Sequence, residues 1–266
     1  MPTSERRARI LERIQRAGGV SLAELAREHD VSAITVHRDL EQLSRAGLVE
    51  RFHGGARAAP SAEPSRAETA WDRRLRQAGG AKDAIAAHAR GMVPDGATIF
   101  LDATSSAFAL AHRIDVDPPE DLTIVTTSPA IALGLESERV RVVMAPGEVD
   151  LRMRAIADGW TVDFLRRIKL DLAFVSGSGL DVERGLTTSR RPLADTLAAV
   201  RASADRVVAL VDASKLGRAS MITIAAADEF DAIVVDAGAS ADDVAAFAAR
   251  GVQLEVAAPL SGEDDD

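Results

Sequence analysis

The feature that most constrains the fold is an alternation of short apolar segments with helical patterns through the last two-thirds of the chain. Seven segments read as strands: 97–101, 122–126, 140–144, 172–175, 207–211, 232–235 and 252–256. Helical patterns occupy 81–92, 106–114, 129–136, 190–204 and 240–250. Strands that alternate with helices predict an α/β domain with a mainly parallel sheet.

The first 57 residues have a different, helical pattern. Ser21 and Glu24 have capping-box spacing at the start of one helix. Ser32 precedes a second helix, in which Val36, Leu40 and Leu43 recur on one side. Two helices joined by so short a turn predict a helix-turn-helix motif, and the strand pattern at 48–52 with the turn at 53–55 completes a winged helix.

Charge is unevenly distributed between these two parts. The whole chain carries −9, yet residues 1–57 hold ten arginines against eight acidic residues, a net charge of +2. Residues 58–266 therefore carry −11 and end in the acidic segment 262–266. Because a nucleic-acid footprint is a local property, the overall charge does not exclude DNA binding.

The side of the second helix opposite the apolar stripe carries groups that suit a DNA groove. Arginine fits guanine edges or phosphate, threonine fits phosphate, and an exposed isoleucine fits a thymine methyl. We predict DNA contacts from Ser32, Ile34, Thr35, His37, Arg38, Arg51 and His53. Asp39 lies nearer the buried side and is predicted to make a structural bond. The pattern alone also fits a helical module for protein contact.

Polar residues follow four of the predicted strands: Asp102–Ser106, Thr126–Ser128, Ser176–Gly179 and Asp212–Lys215. Ligands of open α/β sheets bind beyond the carboxyl ends of the strands. Hydroxyls and free amides at a helix start can hold an anion, although serine and threonine at such positions also serve as plain helix caps. Lysine is scarce, with only Lys82, Lys169 and Lys215 against 29 arginines, so Lys215 at a strand end is a candidate anion contact.

The segment from Arg6 to Ala56 resembles the DNA-binding domain of the DeoR family of bacterial transcription regulators. The signature consists of "VS" at 31–32, "TV" at 35–36 followed by "RDL" at 38–40, and "GL" at 47–48 followed by "HGGA" at 53–56. His37 departs from it, because the family more often has arginine there. The resemblance continues to about Asp236 through "LDATSS", "VTTS", "VSGSG" and "VDASK", with Ala103 where the family often has glycine.

The resemblance implies a fold class and a domain order. A small winged helix-turn-helix domain at 1–57 would be followed by a linker at 58–80. A larger α/β sensor domain at 81–258 would resemble ribose-5-phosphate isomerase and glucosamine-6-phosphate deaminase. The acidic tail 259–266 is expected to be disordered. The effector contacts implied are Asp102, Thr104, Ser105, Ser106, Thr126, Thr127, Ser128, Gly177, Ser178, Gly179 and Lys215.

The family's function supplies the leading hypothesis. It is a cytoplasmic repressor of sugar or polyol metabolism genes, a homo-oligomer (dimer or tetramer) that binds a double-stranded DNA operator and responds to a phosphorylated sugar or polyol. No cofactor, metal or catalytic residue is expected. The alternative is a sugar-phosphate isomerase or deaminase with an accessory N-terminal domain, in which Asp102, Asp181 and Lys215 would be acid–base groups.

Composition excludes several other classes. The chain has no cysteine, which excludes disulfides, thiolate zinc sites and cysteine nucleophiles and fits a reducing compartment. No apolar run approaches the roughly 18 residues that suggest a membrane span, so no membrane partner is expected.

Overall fold

The computed structural model describes residues 6–7, 9–11, 13–14, 19–29, 31–45, 49–52, 54–58 and 70–260. The chain divides into two compact units, Met1–Glu68 and Thr69–Asp266. This boundary falls inside the segment 58–80 that the sequence predicts to be a linker.

The first unit is a winged helix. In chain order its elements are the helix α1 formed by the described residues between 6 and 14, β1 Gly19–Ser21, α2 Leu22–Glu28, α3 Ala33–Arg45, β2 Val49–Phe52 and β3 Gly55–Ala58. The three strands pair antiparallel in the order β1-β3-β2. The strand β1 was not predicted, whereas the two helices and the wing hairpin agree with the prediction.

Its core joins all three helices to the wing. The predicted stripe Val36, Leu40 and Leu43 is buried against Ile10, Ile14, Val20, Leu25, Val49 and Ala56. The Ser21 hydroxyl accepts a hydrogen bond from the Glu24 amide, and the Glu24 carboxylate accepts one from the Ser21 amide, so the predicted capping box is present.

Two glycines make the tight wing turn possible. Gly54 has a φ of +94°, a conformation that favours glycine. A Cβ on Gly55 would lie 2.4 Å from the Val20 carbonyl oxygen and 2.7 Å from the Phe52 ring. The glycine pair therefore fixes the path of the hairpin between β2 and β3.

The second unit is built on a seven-stranded parallel sheet. Its strands are β4 Thr98–Leu101, β5 Leu122–Thr126, β6 Val140–Met144, β9 Leu170–Val175, β12 Ala204–Val211, β14 Ala232–Asp236 and β15 Leu254–Ala257, numbered in chain order. They lie in the order β15-β14-β12-β9-β4-β5-β6. All seven predicted strands are in this one sheet, which confirms the predicted fold class.

Helices cover both faces of the sheet, giving three layers. They are α4 Ala70–Arg76, α5 Gly79–Arg90, α6 Ser105–Val116, α7 Pro129–Gly134, α8 Gly159–Leu165, α9 Arg191–Ser203 and α10 Ala241–Ala248. Alternate strand residues enter two separate cores: Phe100 packs with α9, whereas Ile99 and Leu101 pack with α5 and α6. Side chains of a strand alternate between faces, so both faces of the sheet are apolar.

Smaller elements lie outside the sheet. The strands β10 Gly179–Asp181, β11 Gly185–Thr188 and β13 Ile222–Ala225 form an antiparallel sheet, and β7 Val149–Asp150 pairs with β8 Ala155–Ile156. The helix α8 and these short strands were not predicted. Within the described residues, no helix is long and apolar enough to cross a membrane.

Candidate functional site

The helix α3 presents one side to the core and the other outward. At its start the Ser32 hydroxyl accepts a hydrogen bond from the Thr35 amide at 3.2 Å and lies 2.9 Å from the Thr35 hydroxyl. Ser32 therefore caps the helix, as predicted, and Thr35 is partly engaged by the cap.

The outward side carries the predicted DNA-contacting residues. Ile34 is 69% exposed, and His37 and Arg38 are exposed as well. Thr35, also a predicted contact, is half-buried. The exposed side of α3 therefore presents the arginine and the aliphatic group that suit base edges and a thymine methyl.

His37 on α3 and Arg51 on β2 form a pair. The Arg51 Nη2 lies 2.7 Å from the His37 Nε2, and both side chains are exposed. A guanidinium group has no acceptor atoms, so Arg51 donates and the imidazole Nε2 accepts. The contact joins the wing to α3. His53, the other predicted contact in the wing, lies outside the described residues.

Asp39 has the structural role that the sequence predicts. It is 1% exposed, and its carboxylate accepts from Arg6 Nε at 2.7 Å and from Arg7 Nε at 2.9 Å. Burial alone would raise the pKa of Asp39, but the two arginines outweigh it and hold the pKa below its ordinary value. Asp39 ties α1 to α3 and does not face outward.

In the second unit, the ends of β4, β9 and β12 are joined by a chain of hydrogen bonds. The Asp102 carboxylate accepts from the Ser176 amide at 2.6 Å and from the Thr104 amide at 3.0 Å. The Ser176 hydroxyl donates to the Leu210 carbonyl at 2.6 Å, and the Lys215 ammonium donates to the Ser176 hydroxyl at 3.1 Å. The predicted convergence of these strand ends at one edge of the sheet is confirmed.

Burial dominates the titration of Asp102. The residue is fully buried, and this raises its pKa to about 6 even though hydrogen bonds from Thr104 and Ser176 and the charge of Lys215 oppose the shift. Asp102 is therefore a buried carboxyl group fixed by hydrogen bonds, and it is not a surface charge.

A cavity of about 360 Å³ opens beside the ends of β4 and β12. Four basic side chains line it, Arg74, Lys82, Lys215 and Arg218, against the single carboxylate of Asp212. Ser105 and Ser214 add hydroxyls to the lining. A basic cavity in a chain of net charge −9 is suited to an anionic ligand.

The one carboxylate of the cavity is held as an anion. Burial raises the pKa of Asp212, but Lys215, the Ser214 hydroxyl and Lys82 outweigh burial and bring the pKa below its ordinary value. The Lys215 ammonium lies 3.5 Å from the Asp212 carboxylate. The pair leaves the cavity lining with an excess of positive charge.

The start of α6 lies against the same cavity. Thr104 caps the helix through the Ala107 amide at 3.4 Å, and Ser105 is buried in the cavity lining. The Ser106 hydroxyl is buried and has no hydrogen-bond partner in the described structure. A helix start leaves amides without intrahelical acceptors, so this end of α6 favours an anion.

Thr126, Thr127 and Ser128 lie one strand further along the sheet. All three are buried and none lines the cavity. The Thr126 hydroxyl donates to the Leu101 carbonyl at 2.7 Å, and the Ser128 hydroxyl caps α7 through the Ile131 amide at 3.2 Å. The hydroxyls of Thr126 and Ser128 therefore have local structural partners.

The predicted glycine loop after β9 packs against protein backbone. A Cβ on Gly177 would lie 2.6 Å from the Thr187 carbonyl oxygen, and one on Gly179 would lie 2.3 Å from that of Arg218. The Ser178 amide donates to the Thr187 carbonyl at 2.8 Å. The close approach that these glycines permit in the structure is to the β11 strand and the Arg218 loop, and their contact with an effector stays a prediction.

Three residues of this region, Arg74, Lys82 and Arg218, were not predicted as ligand contacts, and they supply most of the cavity's charge. Ser176 was named in the polar segment after β9 but not as a predicted contact, and it carries the polar contact of that loop. The scarcity of lysine could have indicated Lys82 as well as Lys215. No local pattern marks Arg74 or Arg218.

Two other depressions have no excess of positive charge in their linings. One of about 700 Å³ lies at the amino ends of β5 and β6, and another of about 700 Å³ lies between α8 and α9; both have mixed charge. Across the described ranges, no group of three or more His, Asp or Glu side chains is placed to hold a metal ion.

Two family models match the chain. Residues 6–62 match a DeoR-like helix-turn-helix domain, and residues 77–237 match the DeoR C-terminal sensor domain. The first contains the winged helix, and the second contains the lining of the basic cavity apart from Arg74.

Curated relatives extend over almost the whole chain. The HTH-type transcriptional regulator GlpR of Haloferax volcanii is 33% identical over 96% of this chain and 98% of its own length. The glycerol-3-phosphate regulon repressor of Escherichia coli is 31% identical over 96% of this chain and all of its own length. Among solved structures, ribose 5-phosphate isomerase A of Neisseria gonorrhoeae overlaps 50% of this chain and 52% of its own, with 14% identity and a TM-score of 0.38.

Proposed function

The chain belongs to the DeoR family of transcriptional regulators, and we propose that it represses genes of sugar or polyol metabolism under the control of a phosphorylated effector. The winged helix would bind the operator and the α/β unit would bind the effector. The observation that carries the effector assignment is the excess of basic side chains in the cavity.

The cavity fits this ligand class in size and chemistry. A volume of about 360 Å³ is at the lower end of the range for small-molecule sites, roughly 300–1,000 Å³. A phosphate monoester carries close to two negative charges near neutral pH, which the four basic side chains would balance. Asp212 and the hydroxyls of Ser105 and Ser214 would accept and donate hydrogen bonds to sugar or polyol hydroxyls.

Glycerol 3-phosphate is the first compound to test, because a relative 31% identical is named for it. Operator DNA would be selected from a random duplex library with the full-length protein. Gel shifts at fixed salt, with and without glycerol 3-phosphate and hexose phosphates, would then test both halves of the proposal. Absence of any DNA complex at low salt would reject the repressor role, and a complex insensitive to every phosphate tested would reject the effector class.

DNA binding by this family of motif commonly uses two reading helices on two half-sites. We propose that the protein acts as a homo-oligomer, a dimer or tetramer, and that the selected operator contains a repeated half-site. Sedimentation of the full-length chain with and without the selected DNA would test this.

A further inference from the structure

The helix α4 is the first element of the second unit along the chain, directly after the segment 59–69 that leads from the winged helix. It also forms part of the effector cavity, because Arg74 lies in the lining. One short helix therefore belongs to both the ligand site and the connection to the DNA-binding unit.

Contacts at both ends hold α4. Trp71, 4% exposed, packs edge-on against Phe108 of α6 with ring centres 5.5 Å apart, and the Arg154 guanidinium lies 5.0 Å from the Trp71 ring. At the other end, the Lys82 ammonium donates to the carbonyl oxygens of Arg74 and Gln77. A cation at the C-terminal end of a helix satisfies carbonyls that have no intrahelical donor.

Lys82 belongs to the cavity lining and also holds the end of α4. It is 4% exposed and lines the cavity, so its ammonium is within the region that an anion would occupy. An ammonium group has three donors, of which the α4 carbonyls use two. The third is available to a ligand without release of α4.

The charges around Lys82 weaken this arrangement when no anion is bound. Burial lowers the pKa of Lys82; Asp212 opposes the shift, while Lys215 and Arg74 add to it. Like charges facing one cavity repel, and Arg74 is carried by α4 itself. An anion between these groups would remove the repulsion and add a charge-assisted hydrogen bond to Lys82.

We propose that Lys82 couples occupancy of the cavity to the docking of α4, so that a bound phosphate tightens α4 against the sensor unit and thereby restrains the connection to the winged helix. This inference rests on the proposed function. It identifies Lys82 as a positioning residue for α4 and α4 as the element through which the effector acts.

Hydrogen exchange of the full-length protein tests the coupling directly. Glycerol 3-phosphate is expected to slow exchange in α4 by about tenfold, the fold-change of one charge-assisted hydrogen bond, beyond any slowing in α10. Without ligand, Lys82→Met is expected to speed α4 exchange by a similar factor, because the carbonyls lose their donor. Lys82→Arg, which keeps donors, should restore most of the protection.

A matched control is available in Lys169→Met. Lys169 is an exposed lysine paired with Asp205, away from the cavity lining, so its loss should leave α4 exchange unchanged. A second readout uses the two tryptophans: with the exposed Trp160 replaced by phenylalanine, emission reports Trp71 alone. Ligand should shift Trp71 emission to the blue, and Lys82→Met should abolish the shift.

The outcomes separate the two proposals. If glycerol 3-phosphate, the hexose phosphates and inorganic phosphate all leave the melting temperature unchanged, the effector class fails, and the ligand-free comparison of Lys82→Met with wild type still decides whether Lys82 holds α4. If the melting temperature rises while α4 exchange and Trp71 emission stay as in the ligand-free protein, the coupling is overturned. Equal α4 exchange in Lys82→Met and wild type also overturns it.

Discussion

The Nη2 of Arg51 lies 2.7 Å from the Nε2 of His37, so a wing side chain and a side chain of α3 are presented as one unit. The contact places the guanidinium beside the outward side of α3. It also gives a physical use to the histidine that departs from the family pattern.

His37→Leu is therefore expected to weaken operator binding by about three- to tenfold, the value of one exposed hydrogen bond of about 0.5–1.5 kcal/mol that orients Arg51. His37→Gln should bind almost as wild type, because its side-chain oxygen can accept from the guanidinium. Fluorescence anisotropy on selected operator DNA at one salt concentration measures both. Equal loss in the two variants would show that His37 contacts DNA itself.

Arg38→Ala should lower operator affinity more than His37→Leu does, and it should alter sequence specificity. If the exposed guanidinium reads a base edge, operator affinity falls by about 1–3 kcal/mol and the preference at one base position relaxes. Anisotropy with the operator and with single-base variants provides the measurement. Arg191→Ala, an exposed arginine of the second unit, serves as control. A uniform loss on every sequence would assign Arg38 to phosphate.

Asp39→Ala should destabilise the winged helix without altering the outward side of α3. Two charge-assisted hydrogen bonds are lost, and with Arg7 partly solvated we expect about 2–4 kcal/mol. Because the pKa of Asp39 is depressed in the folded state, its stabilisation is present above the unfolded pKa and is lost as pH falls through the folded pKa. Hydrogen exchange in α3 at pH 7 should speed accordingly; unchanged exchange would contradict the structural role.

Lys215→Met should weaken phosphate-ester binding by about ten- to a hundredfold, as expected for one charged hydrogen bond of roughly 1.5–3 kcal/mol. The measurement is calorimetric titration with glycerol 3-phosphate, with Lys169→Met as the matched control. Wild-type affinity in Lys215→Met would move the effector site away from the cavity.

Asp102 gives a pH prediction of the opposite sign to Asp39. Its folded pKa, about 6, is above the model-peptide value, so its contribution is fully present below the unfolded pKa and is lost as pH rises through 6. Relative to Asp102→Asn, wild type should lose roughly 2 kcal/mol of stability between pH 4 and 7. Both tryptophans lie in the second unit, so urea denaturation followed by their fluorescence reports it. A pH-independent difference between the two proteins would contradict the raised pKa.

The sheet and α3 could be predicted because their signals are local. A buried parallel strand is a short apolar run, and the stripe Val36, Leu40, Leu43 has the period of a helix that packs on one side. The same helical pattern predicted that Asp39 lies toward the buried side of α3. Element bounds shifted by one to three residues, as at β15, which begins at Leu254 rather than at 252.

The walls of the cavity could not be predicted, because they come from distant segments of the chain. Arg74 precedes the sheet, Lys215 and Arg218 follow its fifth strand in sequence, and only the fold brings them together. The glycines at 177 and 179 show the complementary difficulty. A glycine indicates that something approaches the backbone closely. Whether a ligand or another strand does so depends on distant parts of the chain.

Two of the chain's three lysines, Lys82 and Lys215, line one cavity, and the third, Lys169, is a solvent-exposed partner of Asp205. Isotope labelling confined to lysine would thus give a spectrum of three side-chain resonances. Two of them report the cavity from its two sides, and the third is an internal reference. The sparse use of lysine would thus let the cavity report the binding of an anion without an attached probe.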